Sequence, residues 1–263
     1  MLSTLHPVAA NGFNHHADAY ARTRPRYPKA ALDKIQKLIP NLNASILDLA
    51  AGTGILTQLL VDRGYTNVTA VEPVDGMLEK LISLLPEVAA KKGTSWEIPL
   101  PSQTQDAVIV AQAWHWFADL NSLKEIHRVL KPNGYFVLLW NMESPRSLWV
   151  QGLRNIYERY EKVYRLGGWR AVFTEKEAGE LFDLPLNRQQ FEYDFLVPKD
   201  DIFHRIMTRS FIAILSNEER VAMTKEMEDI LDDPSNEFSV NEENQVMYPH
   251  DTKMYWTQKC QSS

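Results

Sequence analysis

The chain has 263 residues, 44% of them hydrophobic and 24% charged, and a formal net charge of −6. Those proportions describe a globular protein with a sizeable core, at a length compatible with one domain. The acidic balance argues against nucleic acid as a partner, because no basic face is present to meet phosphates. No run approaches the ~20 apolar residues of a membrane-spanning helix, so no membrane partner is expected. The one cysteine, Cys260, permits no internal disulfide. With no long apolar run behind a basic start, a cytoplasmic location is expected. No set of histidine, cysteine and acid has metal-ligand spacing, so no metal is expected.

In chain order, apolar residues from Lys29 to Ile39 recur at helical spacing. Ser45–Leu49 reads as a first buried strand, Ile55–Arg63 as a helix ended at Gly64, and Val68–Glu72 as a second strand. Asp75 opens a helix that stops before Pro86. A third strand is placed near Thr94–Glu97. Ala107–Ala111 is apolar throughout, as a strand covered on both faces should be. A helix over Leu120–Leu130 leads through Lys131-Pro132-Asn133-Gly134 to a fifth strand, Tyr135–Trp140. The βαβα rhythm implies a parallel sheet with helices on both faces.

After Asn141 the rhythm changes. Pro145–Tyr164 reads as a long helix, Arg188–Val197 as a strand, and Asp200–Leu215 and Asn217–Leu231 as helices. Gln245–Tyr248 and Thr252–Gln258 supply the last strands. Residues 144–186 are an insertion after strand five, expected as a lid. The whole chain, 1–263, is expected as one domain. Within it, residues 1–40 are expected as an N-terminal segment, 41–143 as the core and 187–263 as the C-terminal helices and strands.

The chemistry is densest at the tips of the first two strands. Asp48 is followed by Gly52-Thr53-Gly54, and Glu72 ends the next strand. Glycines let backbone approach a ligand, and ligands in such sheets lie beyond the carboxyl ends of the strands. The dinucleotide pattern G-x-G-x-x-G is not met, because Thr57 holds its third glycine position. No basic residue lies near the turn. Asp48 would repel a pyrophosphate but suits an ammonium group, and Glu72 suits a ribose hydroxyl pair. S-adenosylmethionine, cationic and without phosphate, fits this pattern.

Here the chain resembles a known family. Asp48-Leu49-Ala50-Ala51-Gly52-Thr53-Gly54 is similar to the first motif of class I S-adenosylmethionine-dependent methyltransferases. Tyr20 to Pro28 resembles the Y-x-x-x-R-P-x-Y-P signature of the branch around trans-aconitate methyltransferase, whose members act on small molecules. Gly93-Thr94 with Ile98–Pro101, Asp106–Phe117 and Leu123–Gly134 resemble later motifs of the family. Thr208–Phe211 and Tyr248–Trp256 resemble its C-terminal pieces. Two positions depart from the pattern. Ala50 stands where glycine is usual, and Trp96 stands where an acid is common, which leaves open what meets the adenine amino group.

The resemblance implies a Rossmann-like α/β fold, a mostly parallel seven-stranded sheet flanked by helices, with a helical lid. It implies methyl transfer to a small-molecule acceptor by a monomer or weak homodimer. For the cofactor it implies Asp48, Ala50, Gly52 and Gly54 at the methionine end, Glu72 at the ribose, and Met77, Thr94 and Ser95 at the adenine. Ala111 and Gln112 would border the sulfonium, beneath Tyr20 and Arg24. His115 is read as base, hydrogen-bond donor or packed histidine, and Tyr20 as a second group near the reacting sulfur. Trp116, Trp149, Tyr157 and Trp169 are candidate acceptor contacts, and Arg146, Arg154 and Arg170 give the lid an anion-binding character. The favoured acceptor atom is a carboxylate oxygen. Thiol, hydroxyl or carbon methylation, and a non-catalytic cofactor-binding protein, are the alternatives.

Overall fold

The computed structural model describes residues 25–160, 166–207, 209, 212, 215–233 and 240–260. Helix α1 (Lys29–Leu38) precedes β1 (Ser45–Leu49), α2 (Ile55–Asp62), β2 (Asn67–Glu72), α3 (Asp75–Leu84), β3 (Ala89–Lys92) and β4 (Gln105–Ala111). A 3-10 turn at Trp114–Trp116 leads into α4 (Leu120–Val129) and the long β5 (Leu130–Glu143). Then come α5 (Leu148–Glu158), a 3-10 segment (Leu166–Thr174), α6 (Lys176–Leu181), β6 (Asn187–Glu192), β7 (Phe195–Pro198), α7 (Lys199–Met207), α8 (Asn217–Asp232), β8 (Gln245–Tyr248) and β9 (His250–Gln258).

The main sheet has seven strands in the order β3-β2-β1-β4-β5-β9-β6. Strands β1 to β5 pair in parallel, while β9 runs antiparallel to both β5 and β6. This is the mostly parallel seven-stranded sheet that the sequence implies. Alternation along the strands divides the core. Leu47, Leu49, Val108, Val110, Phe136 and Leu138 face α4 and the Leu166–Thr174 segment. Ile46, Ala107, Ile109, Val137 and Leu139 face α1 and α2. Each such burial contributes about 1.5–3 kcal/mol.

Among the element boundaries that differ from expectation, the helix expected over Pro145–Tyr164 covers Leu148–Glu158, and three differences concern the strands. Strand three lies at Ala89–Lys92, because residues 94–97 fold into a turn in which the Thr94 N–H donates to Glu97 O at 3.4 Å. The stretch 188–197 is two strands in different sheets, since β6 joins the main sheet and β7 pairs with β8. Strand β5 is longer than its apolar run. It takes in Lys131-Pro132-Asn133-Gly134 through an irregularity opposite Gln105 and Ala107, the kind of place where a strand tolerates proline.

Beyond the sheet, α5, α7, α8, β7 and β8 build a separate core. Trp149, Val150, Leu153, Ile156 and Tyr157 form one buried face of α5, at the spacing of an amphipathic helix. Gly152 lets α8 close in, since a Cβ there would stand 2.9 Å from Ile230 Cδ1. Residues 148–158 therefore belong to a C-terminal subassembly, whereas 166–181 pack on the sheet. Among the described residues no helix is long and apolar enough to cross a membrane.

Candidate active site

The tips of β1, β2 and β4 and the segment after β3 surround a partly open cavity, placed beyond the carboxyl ends of the strands where ligands lie in such sheets. Leu49, Ala50 and Gly52 form one wall, Glu72 to Val74 and Met77 the floor, and Gly93 to Trp96 the far end. Ala111 to Ala113, Trp116 and Phe117 close the opposite side.

The turn after β1 follows from local sterics. Ala50 and Gly52 have φ of 59° and 58°, and Gly54, at φ 86°, precedes the first turn of α2. A Cβ on Gly54 would stand 2.9 Å from Leu85 Cδ1, so both backbone angle and space require glycine there. A Cβ on Gly52 would meet nothing within 4 Å, which leaves its backbone open to the cavity. Gln112 sits at the tip of β4 with φ 59°. Two non-glycine residues in the left-handed region, both lining one cavity, are the kind of strain that clusters at functional sites.

Glu72 Oε2 accepts from the Gly52 N–H at 2.8 Å, and Oε1 accepts from the Val74 N–H at 3.0 Å. Each oxygen keeps a further lone pair for a donor in the cavity. Burial pushes this carboxyl up to about 7, against the pull of the two N–H groups. Asp48 lies just beneath the wall. Its Oδ2 accepts from the Thr57 hydroxyl at 2.6 Å, and its buried Oδ1 has no hydrogen-bond partner among the described residues. Burial pushes it up to about 6. Thr57 at the third-glycine position thus serves to hold Asp48. A buried carboxylate oxygen with no partner among the described residues, a second carboxylate with lone pairs to spare and an open glycine turn fit a ligand that carries an ammonium and ribose hydroxyls.

Ala50, Gly52, Glu72, Met77, Thr94, Ser95, Ala111, Gln112 and Trp116 all line this one cavity. Asp48 and Gly54 shape it from behind. Tyr20 and Arg24 lie outside the described residues. His115 is half-buried beside Trp116, with ring centroids 5.1 Å apart. Its Nδ1 accepts from the Trp140 indole N–H at 3.4 Å, and burial pushes the imidazole down to about 4. Trp169 stacks on Trp140, centroids 4.6 Å apart, and so supports His115 from behind.

Of the candidate acceptor contacts only Trp116 lines the cavity; His115, Trp149, Tyr157 and Trp169 do not. Trp149 stacks on Tyr248 and Tyr157 donates its hydroxyl to Glu143 Oε2 at 2.9 Å, both inside the C-terminal core. Their spacing on an amphipathic helix serves that core. The lid arginines are engaged within the protein: Arg146 with Asp194 at 2.7 Å, Arg154 with Glu158 at 2.6 Å, and Arg170 with the Tyr255 hydroxyl at 2.6 Å.

Three residues with a part in the site are not evident from the sequence patterns. Trp140 orients His115, and Asp119 holds the Trp96 indole at 2.7 Å. Asn141 accepts the Gln112 side chain on its backbone oxygen at 3.0 Å and donates its amide to Arg26 O at 2.9 Å. Trp140 and Asn141 lie at the C-terminal end of a parallel strand, where ligand sites gather. Asp119 stands directly before α4, a helix-cap signal.

A family model described as a methyltransferase domain matches residues 47–138. An uncharacterized methyltransferase of Mycobacterium tuberculosis is 45% identical over 147 residues, which cover 56% of this chain and 59% of that protein. An uncharacterized methyltransferase of Schizosaccharomyces pombe is 32% identical over 226 residues, covering 81% of this chain and 84% of that one. In fold, the YcgJ protein of Bacillus subtilis superposes with a TM-score of 0.56 at 20% identity, over 89% of this chain and 100% of that one. The chain belongs to the class I S-adenosylmethionine-dependent methyltransferases.

Proposed function

We propose that the protein transfers the methyl group of S-adenosylmethionine to a carboxylate oxygen of a small organic acid, as a member of the branch around trans-aconitate methyltransferase. In this reading Asp48 and the Ala50–Gly54 turn hold the methionine end, Glu72 the ribose hydroxyls, and Met77, Thr94 and Ser95 the adenine. Ala111 and Gln112 border the sulfonium, with Tyr20 and Arg24 covering it. Trp169 acts through Trp140, which it stacks on and whose indole N–H donates to His115.

The reaction is an in-line displacement. A carboxylate lone pair forms the O–CH3 bond as the S–CH3 bond breaks. The sulfonium becomes a neutral thioether, and the anion becomes a neutral ester. Opposite charges disappear together, so a site that excludes water favours the step. The protein's task is alignment, which supplies ~7–11 kcal/mol in favourable cases.

The observation that carries the carboxylate choice is His115. Its Nδ1 is taken by the Trp140 N–H, so the ring proton sits on Nε2. With the ring pushed down to about 4, His115 is neutral near pH 7 and presents an N–H, not a basic nitrogen. A donor without a base suits an acceptor that arrives already ionised.

The test is methyl uptake from labelled S-adenosylmethionine by a panel of organic acids, thiols and phenols. The product expected is a methyl ester, which releases methanol in alkali. An alkali-stable product would assign thiol, hydroxyl or carbon methylation instead, and tight cofactor binding without turnover would assign a binding protein. His115→Gln, which keeps an N–H, is expected to retain most turnover. His115→Ala should lose about tenfold to a hundredfold. The His115 imidazole should add no rise in rate between about pH 6 and 9, whereas a base with the ordinary histidine value near 6.5 would impose one.

A further inference from the structure

We propose that this chain recognises the adenine of its cofactor without any carboxylate. The purine lies against the Trp96 indole, and Asp119 is the positioning residue that sets that indole. The inference rests on the cofactor-site reading given above.

The cavity's far end is walled by Val74, Met77, Thr94, Ser95, Trp96 and Phe117. Among the described lining residues Glu72 is the only ionisable side chain, and its oxygens are turned to the Gly52 and Val74 amides at the ribose end. No acid of the described wall therefore stands ready for the exocyclic amine. The nearby acid, Asp119, is not among the residues that line the cavity, and its oxygens hold the protein's own donors. Its Oδ2 accepts from Trp96 Nε1–H at 2.7 Å, and its Oδ1 accepts from the Ser122 N–H at 2.8 Å, capping α4.

The same helix turn fixes the neighbouring residue. The Ser122 hydroxyl donates to Ser95 Oγ at 2.9 Å, and Ser95 is only 4% exposed. Having accepted this bond, the Ser95 hydroxyl has its own proton left for an acceptor in the cavity, as a purine ring nitrogen is. Phe117 meets Trp96 edge-on, centroids 6.5 Å apart at 76°, which steadies the indole from its other side. The chemistry on offer is thus a rigid aromatic wall and one hydroxyl donor. It reads the purine ring system and leaves the 6-amino group unread.

Calorimetric titration tests this with two ligands, S-adenosylhomocysteine and its purine-riboside analogue, which lacks the 6-amino group and adds no atoms. The wild-type protein is expected to bind the two within about fivefold of each other, whereas a charge-assisted bond to the amine would separate them by roughly 10-fold to 150-fold. Trp96→Ala and Asp119→Ala are expected to weaken both ligands alike, by at least about tenfold for Trp96→Ala, so that their ratio stays unchanged. Thermal melts of the variants check that the fold persists. Trp96→Phe keeps an aromatic wall and should restore most of the affinity lost in Trp96→Ala.

Discrimination of fiftyfold or more would overturn the proposal. So would a ratio that collapses on Asp119→Ala, because Asp119 would then be reading the amine itself. Unchanged affinity in both alanine variants would also overturn it. Failure of the wild-type protein to bind either ligand would instead overturn the cofactor-site reading beneath it.

Discussion

Two regions of the molecule bury carboxylates, and they treat them in opposite ways. At the cavity, Asp48 and Glu72 are held by neutral donors only among the described residues, and burial raises them to about 6 and about 7. In the C-terminal core, Glu143 is equally enclosed, and burial alone would raise it too. The Arg209 guanidinium donates to it, Tyr157 and Tyr248 add their hydroxyls, and the carboxyl is held well below its usual range. Arg209 also lies over the Tyr157 ring at 4.2 Å. A buried acid with its counter-charge in place is part of the scaffold. A buried acid with lone pairs left over and no cation awaits a ligand.

The sharpest way to break this comparison is to strip each region of one partner. Arg209→Met leaves the Glu143 charge buried and alone, and should lower stability by roughly 3–5 kcal/mol in denaturant titrations. Glu72→Ala should leave stability within about 1 kcal/mol, because its burial is already unfavourable to the charged form. It should weaken S-adenosylhomocysteine by roughly 10-fold to 150-fold, the range for hydrogen bonds to a charged group. If the two effects were exchanged, the structural and functional labels would be exchanged with them.

The pH dependence separates the regions by sign. Glu72 and Asp48 have raised folded values, so their contribution to the stability of the ligand-free protein is present at low pH and is lost as pH rises through about 6 to 7. Glu143 has a lowered folded value, so its contribution is present near neutrality and is lost on acidification below the ordinary glutamate range. Ligand hydroxyls and an ammonium favour the ionised acids. Affinity for S-adenosylhomocysteine should therefore increase from about pH 5.5 to about pH 8 and level off above. An affinity independent of pH across that window would contradict the assignment.

The contrast also explains how much was legible in the sequence. The cofactor end is built from contiguous motifs: Asp48 to Gly54 is one turn, Glu72 is one strand tip, and Ala111 to Phe117 is one exit from the sheet. Strand-end geometry sets them beyond one edge of the sheet, and Ala50, Gly52, Glu72, Ala111, Gln112 and Trp116 line one cavity. Third-strand placement failed because Ala89–Lys92 is a partly exposed edge strand with little apolar pattern, whereas the more distinctive 94–97 stretch is a turn. The C-terminal region depends on long-range packing. The aromatic side of α5 looks the same whether it faces a substrate or another helix. Only the approach of α8 and of Tyr248 shows that Trp149 and Tyr157 belong to a core. Asp119 and Trp140 act through a second side chain, which spacing along the chain does not reveal.

Smaller effects refine the picture. Gly54→Ala combines φ 86° with a Cβ 2.9 Å from Leu85, and should cost about 1–3 kcal/mol while distorting the turn that meets the cofactor. Gly152→Ala presses only on the flexible end of Ile230. Its gain in helix propensity, about 1 kcal/mol, should roughly offset the crowding, so melting should shift little and ligand affinity not at all.

The most direct test of the central claim, that Glu72 is a carboxylate poised for the cofactor ribose, is proton counting by calorimetry. S-adenosylhomocysteine is titrated at pH 6.5 in two buffers of different ionisation enthalpy, with wild-type protein and with Glu72→Gln. The account predicts that wild-type binding releases protons and that the release falls in Glu72→Gln together with affinity. Tight binding with no proton release, or release unchanged in the variant, would contradict it.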